Sequence, residues 1–171
     1  MEEYQEENEI SKKLNMKEKV RIEIQKLLKF IAEEVAIEEI KKEDKQKNIL
    51  YFNIRTSNPG ILIGHHGHTL DALQHLINII INKEMKAEEK EQIVIDVENY
   101  REKRKETIKK YALEKAEVVK RTGKRFHLNF MNSTERKMVH LALQDNPLVI
   151  TYSEGNEPYR RVVIAPREQK Q

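Results

Sequence analysis

The segment ILIGHHGHTL, residues 61–70, places two glycines around two histidines and sets a third histidine at His68. Gly-x-x-Gly ahead of an amphipathic helix suits a backbone loop that approaches a phosphate chain. Glycine admits the unusual dihedrals and the close approach. The N–H groups opening the next helix add donors and the positive end of its dipole. Lys or Arg would be the obvious filler; with His65 and His66 instead, the backbone has to do most of the holding. The same glycines would equally serve a plain cap between two helices. Neighbouring histidines also invite a metal reading, since imidazole is a good zinc or nickel ligand. Adjacent residues rarely converge on one ion, however, no cysteine helps, and Asp71 is the only nearby carboxylate. No functional metal site and no cofactor is expected, and His75 reads as an ordinary helix residue.

Farther along, Arg136 and His140 are four apart and share one helix face. Arg can fork onto a phosphate, and His can donate to an oxygen or stack on a base. Lys137, Arg160 and Arg161 would extend that positive surface, and Tyr152 and Tyr159 offer stacking faces. The plainer alternative is a solvated Arg beside a hydrogen-bonded structural His. Arg101, Arg104, Lys105, Lys109 and Lys110 form a basic stripe that would attract phosphates without regard to sequence, and part of it would serve only as a solvated face. No Ser-His-Asp order, phosphate-loop Lys or paired inward carboxylates can be picked out, so no enzyme is expected.

These residues sit in a chain of 171, enough for one medium domain or two small ones. With 38% hydrophobic and 36% charged residues, the cores must be modest and the surface heavily charged, yet the chain is too apolar and periodic for disorder. The absence of cysteine rules out a disulfide framework and a thiolate metal site. The longest apolar run, LINIIIN, is far shorter than a membrane span and is interrupted by Asn78. The first residues, MEEYQEENEI, are acidic and hold no basic-then-apolar leader. The expectation is a soluble, cytoplasmic protein without membrane insertion. The net charge of +3 is regional: residues 16–99 hold 13 basic and 15 acidic side chains, and residues 100–171 hold 17 and 9. Such asymmetry favours a polyanionic partner for the C-terminal half.

Periodicity supplies the elements that must position the candidates. Residues 1–15 read as an acidic disordered tail or linker remnant. Val20, Ile24, Leu27, Ile31 and Val35 follow helical spacing. Two strands flank the polar turn KKEDKQKN, with Leu50, Phe52 and Ile54 inward against Tyr51, Asn53 and Arg55. Asn58-Pro59 starts a short helical turn that Gly64 ends. A longer helix from near Gly67 carries Leu70, Leu73, Ile77 and Ile80, and QIVIDV is a third strand. The basic helix then buries Ile108, Ala112, Ala116 and Val119 and ends at Gly123. RFHLNFM is a strand, Asn132 with Glu135 resembles a capping box for the next helix, Pro147 stops that helix, and LVITYS with YRRVVIA reads as a hairpin. The fold class is α+β in two small domains, residues 16–99 and 100–171.

NPGILIGHHGHTLDALQHLINIIIN, in an α-β-β-α-α-β order, resembles a type II KH domain, a three-stranded sheet with helices on one face. MNSTERKMVHLALQD followed by YSEGNEPYRRVVI resembles an R-three-H domain, named for Arg and His separated by three residues, with helices packed on a small three-stranded sheet. KH followed directly by R-three-H is similar to the Jag family of bacterial RNA-binding proteins, also called KhpB, over about residues 16–166. Members of that family usually carry a further N-terminal domain and a charged linker, and their KH loops commonly hold a Lys or Arg. The resemblance implies a backbone clamp at Ile63, Gly64, His65, His66 and Gly67, with Ile61, Ile63 and Leu70 walling an apolar groove and Arg55 near its rim. It implies nucleic-acid contact at Arg136 and His140. It also implies a single-stranded RNA ligand, with ssDNA as a further candidate, a small KH-domain partner (KhpA), and an RNA-chaperone or post-transcriptional role in cell elongation, division and wall homeostasis. The competing class is a protein–protein adaptor whose KH unit forms a homodimer and binds little RNA.

Overall fold

Val20, Ile24 and Leu28 recur at helical spacing and are buried on one face of α1, helical over residues 16–28. The computed structural model describes residues 16–32, 34–40, 49–83, 90 and 92–167. The acidic residues 1–15 and the polar turn at 41–48 lie outside them. The chain divides between Tyr100 and Arg101 into two units, each with its own hydrophobic core. Among the described residues, five α-helices and two three-stranded sheets make an α+β fold.

In the first unit α1 ends earlier than its apolar spacing suggested. Leu28 takes the core position while Leu27 is only partly buried, Ile31 lies in the turn after the helix, and Val35 opens β1. Glu34, at φ 51°, redirects the chain into that strand. β1 (Val35–Ile40) pairs antiparallel with β2 (Ile49–Thr56), and β2 pairs parallel with β3 (Gln92–Val97), in the order β1-β2-β3. Phe52 and Ile54 enter the core as the alternation requires, but Asn53 is buried as well. The chain leaving β3 folds over it, and the Asn99 N–H donates to Asn53 Oδ1 at 3.2 Å.

α2 (Pro59–Ile63) and α3 (His68–Asn82) pack on this sheet. Pro59 opens α2, although the Asn58 side chain makes no capping bond. Leu70, Leu73 and Ile77 are buried, and Ile81 rather than Ile80 completes the stripe. Two polar residues of α3 finish the sheet. The Gln74 amide accepts from the Ile95 N–H at 2.8 Å and donates to the Ile93 carbonyl; Asn78 accepts from the Ile93 N–H at 3.1 Å and donates to the same carbonyl at 2.8 Å. The edge of β3 that has no strand partner among the described residues is thereby paired by side chains.

α4 (Tyr100–Thr122) leads into the second unit, where it buries Ile108, Ala112, Ala116 and Val119. It ends at Gly123, whose N–H donates to the Val119 carbonyl at 2.8 Å and whose φ of 66° turns the following chain out of the helix. β4 (Phe126–Phe130), α5 (Ser133–Leu143), β5 (Val149–Glu154) and β6 (Arg161–Pro166) follow, the strands antiparallel in the order β4-β6-β5. Asn132 caps α5 by accepting the Glu135 N–H at 2.9 Å. The Glu135 carboxylate ion-pairs with Arg104 Nε at 2.8 Å.

Candidate nucleic-acid interface

The loop between α2 and α3 is built from backbone that side chains resist. Gly64 has φ 68° and ψ −171°, a region reserved for glycine, and a Cβ there would run into the Thr69 side chain. Gly67 is left-handed at φ 85°, and a Cβ would press the Tyr100 ring at 3.0 Å. Between them His66 also has positive φ, 52°, a conformation in which His, Asn and Asp are enriched. His65 meets His66 edge-on at 4.0 Å between ring centroids and stacks against His68 at 6.4 Å. The imidazoles thus pack on one another at the head of α3, whose N-cap Gly67 offers no side-chain cap.

Of the residues the resemblance implied for the groove, one is wholly buried. Leu70 is 0% exposed, a core residue and not a groove wall. Ile63 packs partly buried against the same core, and Ile61 is 54% exposed beside the loop. Arg55 alternates with Ile54 to the other sheet face, where its Nε pairs with Glu38 at 2.9 Å. Both members of that pair are exposed, an arrangement worth little in water.

In the second unit α5 and β5 enclose an open recess of about 500 Å³, lined among others by Arg136, Lys137, His140, Thr151, Ser153 and Arg160. Lys137 and Arg160 are exposed. Arg136 is 7% exposed, against the expectation of a solvent-facing ligand. Its Nη1 donates to the Met131 carbonyl at 2.8 Å and its Nη2 to Glu157 Oε1 at 2.6 Å. The recess therefore has a fixed guanidinium in its wall. Both His140 nitrogens are engaged, Nδ1 with Thr151 Oγ1 at 2.7 Å and Nε2 with Ser153 Oγ at 3.1 Å. Burial, and secondarily the Arg136 charge, push the His140 pKa down and so favour the neutral imidazole. Arg161 lies on β6, 3.4 Å from Glu154.

The basic helix is divided by its register. Arg104 falls one turn before Ile108 on the buried stripe and is held by Glu135, whose side chain is almost wholly buried. Arg101, Lys105, Lys109 and Lys110 are exposed, with Lys105 3.4 Å from Glu102. Sequence reasoning missed Thr151 and Ser153, whose period-two spacing on β5 puts both toward α5, and it missed Phe130 at the end of β4. Among the described residues no cluster of His, Asp and Glu could hold a metal, and no helix is long and apolar enough to cross a membrane.

A glycine-bent helix junction on a β-β-α-α-β sheet, followed by an α5–β5 recess built around an Arg-x-x-x-His pair, defines a protein of the KH and R-three-H class. Residues 21–95 match the family described as "KhpA/KhpB, KH domain", and residues 106–166 match the R-three-H domain. The chain is 41% identical over 127 residues to the RNA-binding protein KhpB of Clostridium symbiosum, covering 74% of this chain and 55% of that protein. With KhpB of Lactiplantibacillus plantarum the identity is 42% over 116 residues, 68% of this chain and 35% of the relative. With KhpB of Bacillus subtilis it is 34% over 140 residues, 81% and 66% respectively. The chain spans between about a third and two thirds of the length of these curated relatives. It belongs to the Jag, or KhpB, family.

Proposed function

We propose that this chain is a non-catalytic single-stranded RNA-binding protein that acts as a post-transcriptional regulator or RNA chaperone. The observation that carries the reading is the recess of the second unit, where a fixed Arg136, the long side chains of Lys137 and Arg160, and the Thr151 and Ser153 hydroxyls converge on one volume. Guanidinium and ammonium donors suit phosphate oxygens, and the hydroxyls serve sugar or base edges. The KH loop adds a second contact region, with backbone N–H groups at the head of α3 directed at a phosphate and His65 and His66 beside it. Two linked contact regions raise avidity on one strand without any new contact.

Binding of a fluorescein-labelled single-stranded RNA, read by anisotropy, tests the loop. In the full chain His65→Asp with His66→Asp weakens binding about tenfold or more, because each added charge near a phosphate costs about 1 kcal/mol even in water. Asp tolerates the left-handed backbone at position 66, so the fold is retained and circular dichroism checks it. Parental affinity in a folded double variant removes the loop from the interface. That outcome favours the adaptor reading, which has its own observation: Leu76 and Ile79 are exposed on one side of α3. Such a strip would suit a second KH unit, from another copy or from a small KH-domain protein.

A further inference from the structure

We propose that the outer face of the second sheet, at Phe130 and Tyr159, is a base-stacking platform for single-stranded RNA, separate from the recess between α5 and β5. The proposal rests on the RNA-binding reading and names a further site for the same ligand. In β6 Val162 and Ile164 enter the second core, so Arg161 and Val163 face the other way; Val163 is itself covered at 0% exposure, so the open part of that face lies toward Arg161. Register places Phe130 opposite Arg161, and Tyr152 and His127 opposite Val163, on that same outer side. There Phe130 is 46% and Tyr159 68% exposed.

Their exposure is a built feature. The register of β4 against β6 shifts between His127 and Phe130, and such an irregularity re-aims a side chain that alternation would otherwise place. Tyr159 is fixed by its own turn. Its N–H donates to the Asn156 carbonyl at 2.8 Å, and Gly155, at φ 87°, passes so close that a Cβ would lie 3.2 Å from the Tyr159 carbonyl oxygen. The two rings meet edge-to-face at 5.5 Å between centroids and 68° between planes. The Arg161 guanidinium carbon stands 5.6 Å over Phe130.

This chemistry selects a nucleobase. Exposed aromatic faces fixed at low conformational cost stack on any base, and an adjacent guanidinium adds cation–π attraction and a phosphate partner. Two acidic groups stand at this end of the sheet and both already face cations: Glu154 lies 3.4 Å from Arg161 and 3.8 Å from His127, and Glu157 lies 2.6 Å from Arg136. The platform also adjoins the recess through the backbone: the Met131 N–H donates to the Arg160 carbonyl, and Arg136 to the Met131 carbonyl. A strand whose phosphate lies at Arg160 can set its neighbouring base on Tyr159.

The test uses the full chain and a single-stranded RNA containing 2-aminopurine, whose fluorescence drops when it stacks. The parent protein should quench the probe on binding. Tyr159→Ala should raise Kd roughly tenfold and abolish much of the quenching, with Phe130→Ala acting in the same direction; Tyr159→Phe, which keeps the ring, should behave as the parent. Tyr159 is highly exposed, so its Ala variant is expected to keep the parental melting temperature. If Tyr159→Ala binds and quenches as the parent does while the parent binds RNA, the platform is wrong and the RNA-binding reading stands. If the parent itself fails to bind the RNA, both fall together.

Discussion

Arg136 shares its guanidinium among the Met131 carbonyl, the Glu157 carboxylate and the wall of the recess. Removing it therefore does two things. Two charge-assisted hydrogen bonds are lost and a partly buried carbonyl is left without its donor, which costs about 2 kcal/mol; the recess also loses a fixed cation. Arg136→Ala should lower the urea midpoint measurably and weaken RNA binding together, whereas an unchanged midpoint with lost affinity would mean that the pair with Glu157 contributes nothing to the fold. That this residue shares a helix face with His140 was legible from their spacing, but its burial was not. The partner that covers it, Glu157, lies 21 residues away on the turn before β6, and no periodicity within α5 reports where that turn returns. For the same reason the spacing left open whether His140 was a donor to a ligand or a hydrogen-bonded structural residue; Thr151 and Ser153 engage both its nitrogens.

At the scale of the element, period and caps carried most of the information. Helical and strand spacing located α3 and β3, and Gly123 and Asn132 marked a helix end and a helix start, because these depend on nearest neighbours along the chain. What spacing cannot show is which polar side chains an element spends on another. Asn78 read as a break in an apolar run; in the fold it and Gln74 satisfy the β3 edge at Ile93 and Ile95. Arg104 read as one charge of a stripe, yet one turn before Ile108 it belongs to the buried side and pairs with Glu135. An open strand edge is both a loss of hydrogen bonds and a template for another chain. Gln74→Ala with Asn78→Ala should therefore cost about 2–4 kcal/mol in equilibrium unfolding and give concentration-dependent association in light scattering. A double variant of parental stability that stays monodisperse would show that water replaces these bonds without loss.

For the molecule as a whole the governing quantity is where its positive charge lies. Residues 16–99 hold 13 basic and 15 acidic groups, whereas residues 100–171 hold 17 and 9, so counterion release on RNA binding should belong mainly to the C-terminal residues. The structure sharpens the count, because a cation committed to a carboxylate is poorly placed to neutralise a phosphate. Arg104 is committed to Glu135, whose side chain is almost wholly buried. Lys109 and Lys110 are exposed, and Lys105 makes a long, exposed approach to Glu102, an arrangement worth little in water. Replacing Lys105, Lys109 and Lys110 by Gln should flatten the plot of log K against log salt by about 2, at roughly 0.7 for each phosphate contact on a single strand. Arg104→Gln should instead lower the melting temperature and leave the slope nearly as it was. A triple variant that keeps the parental slope would place those lysines on a merely solvated face. The salt dependence would then belong to Lys137 and Arg160, and substituting them should flatten it.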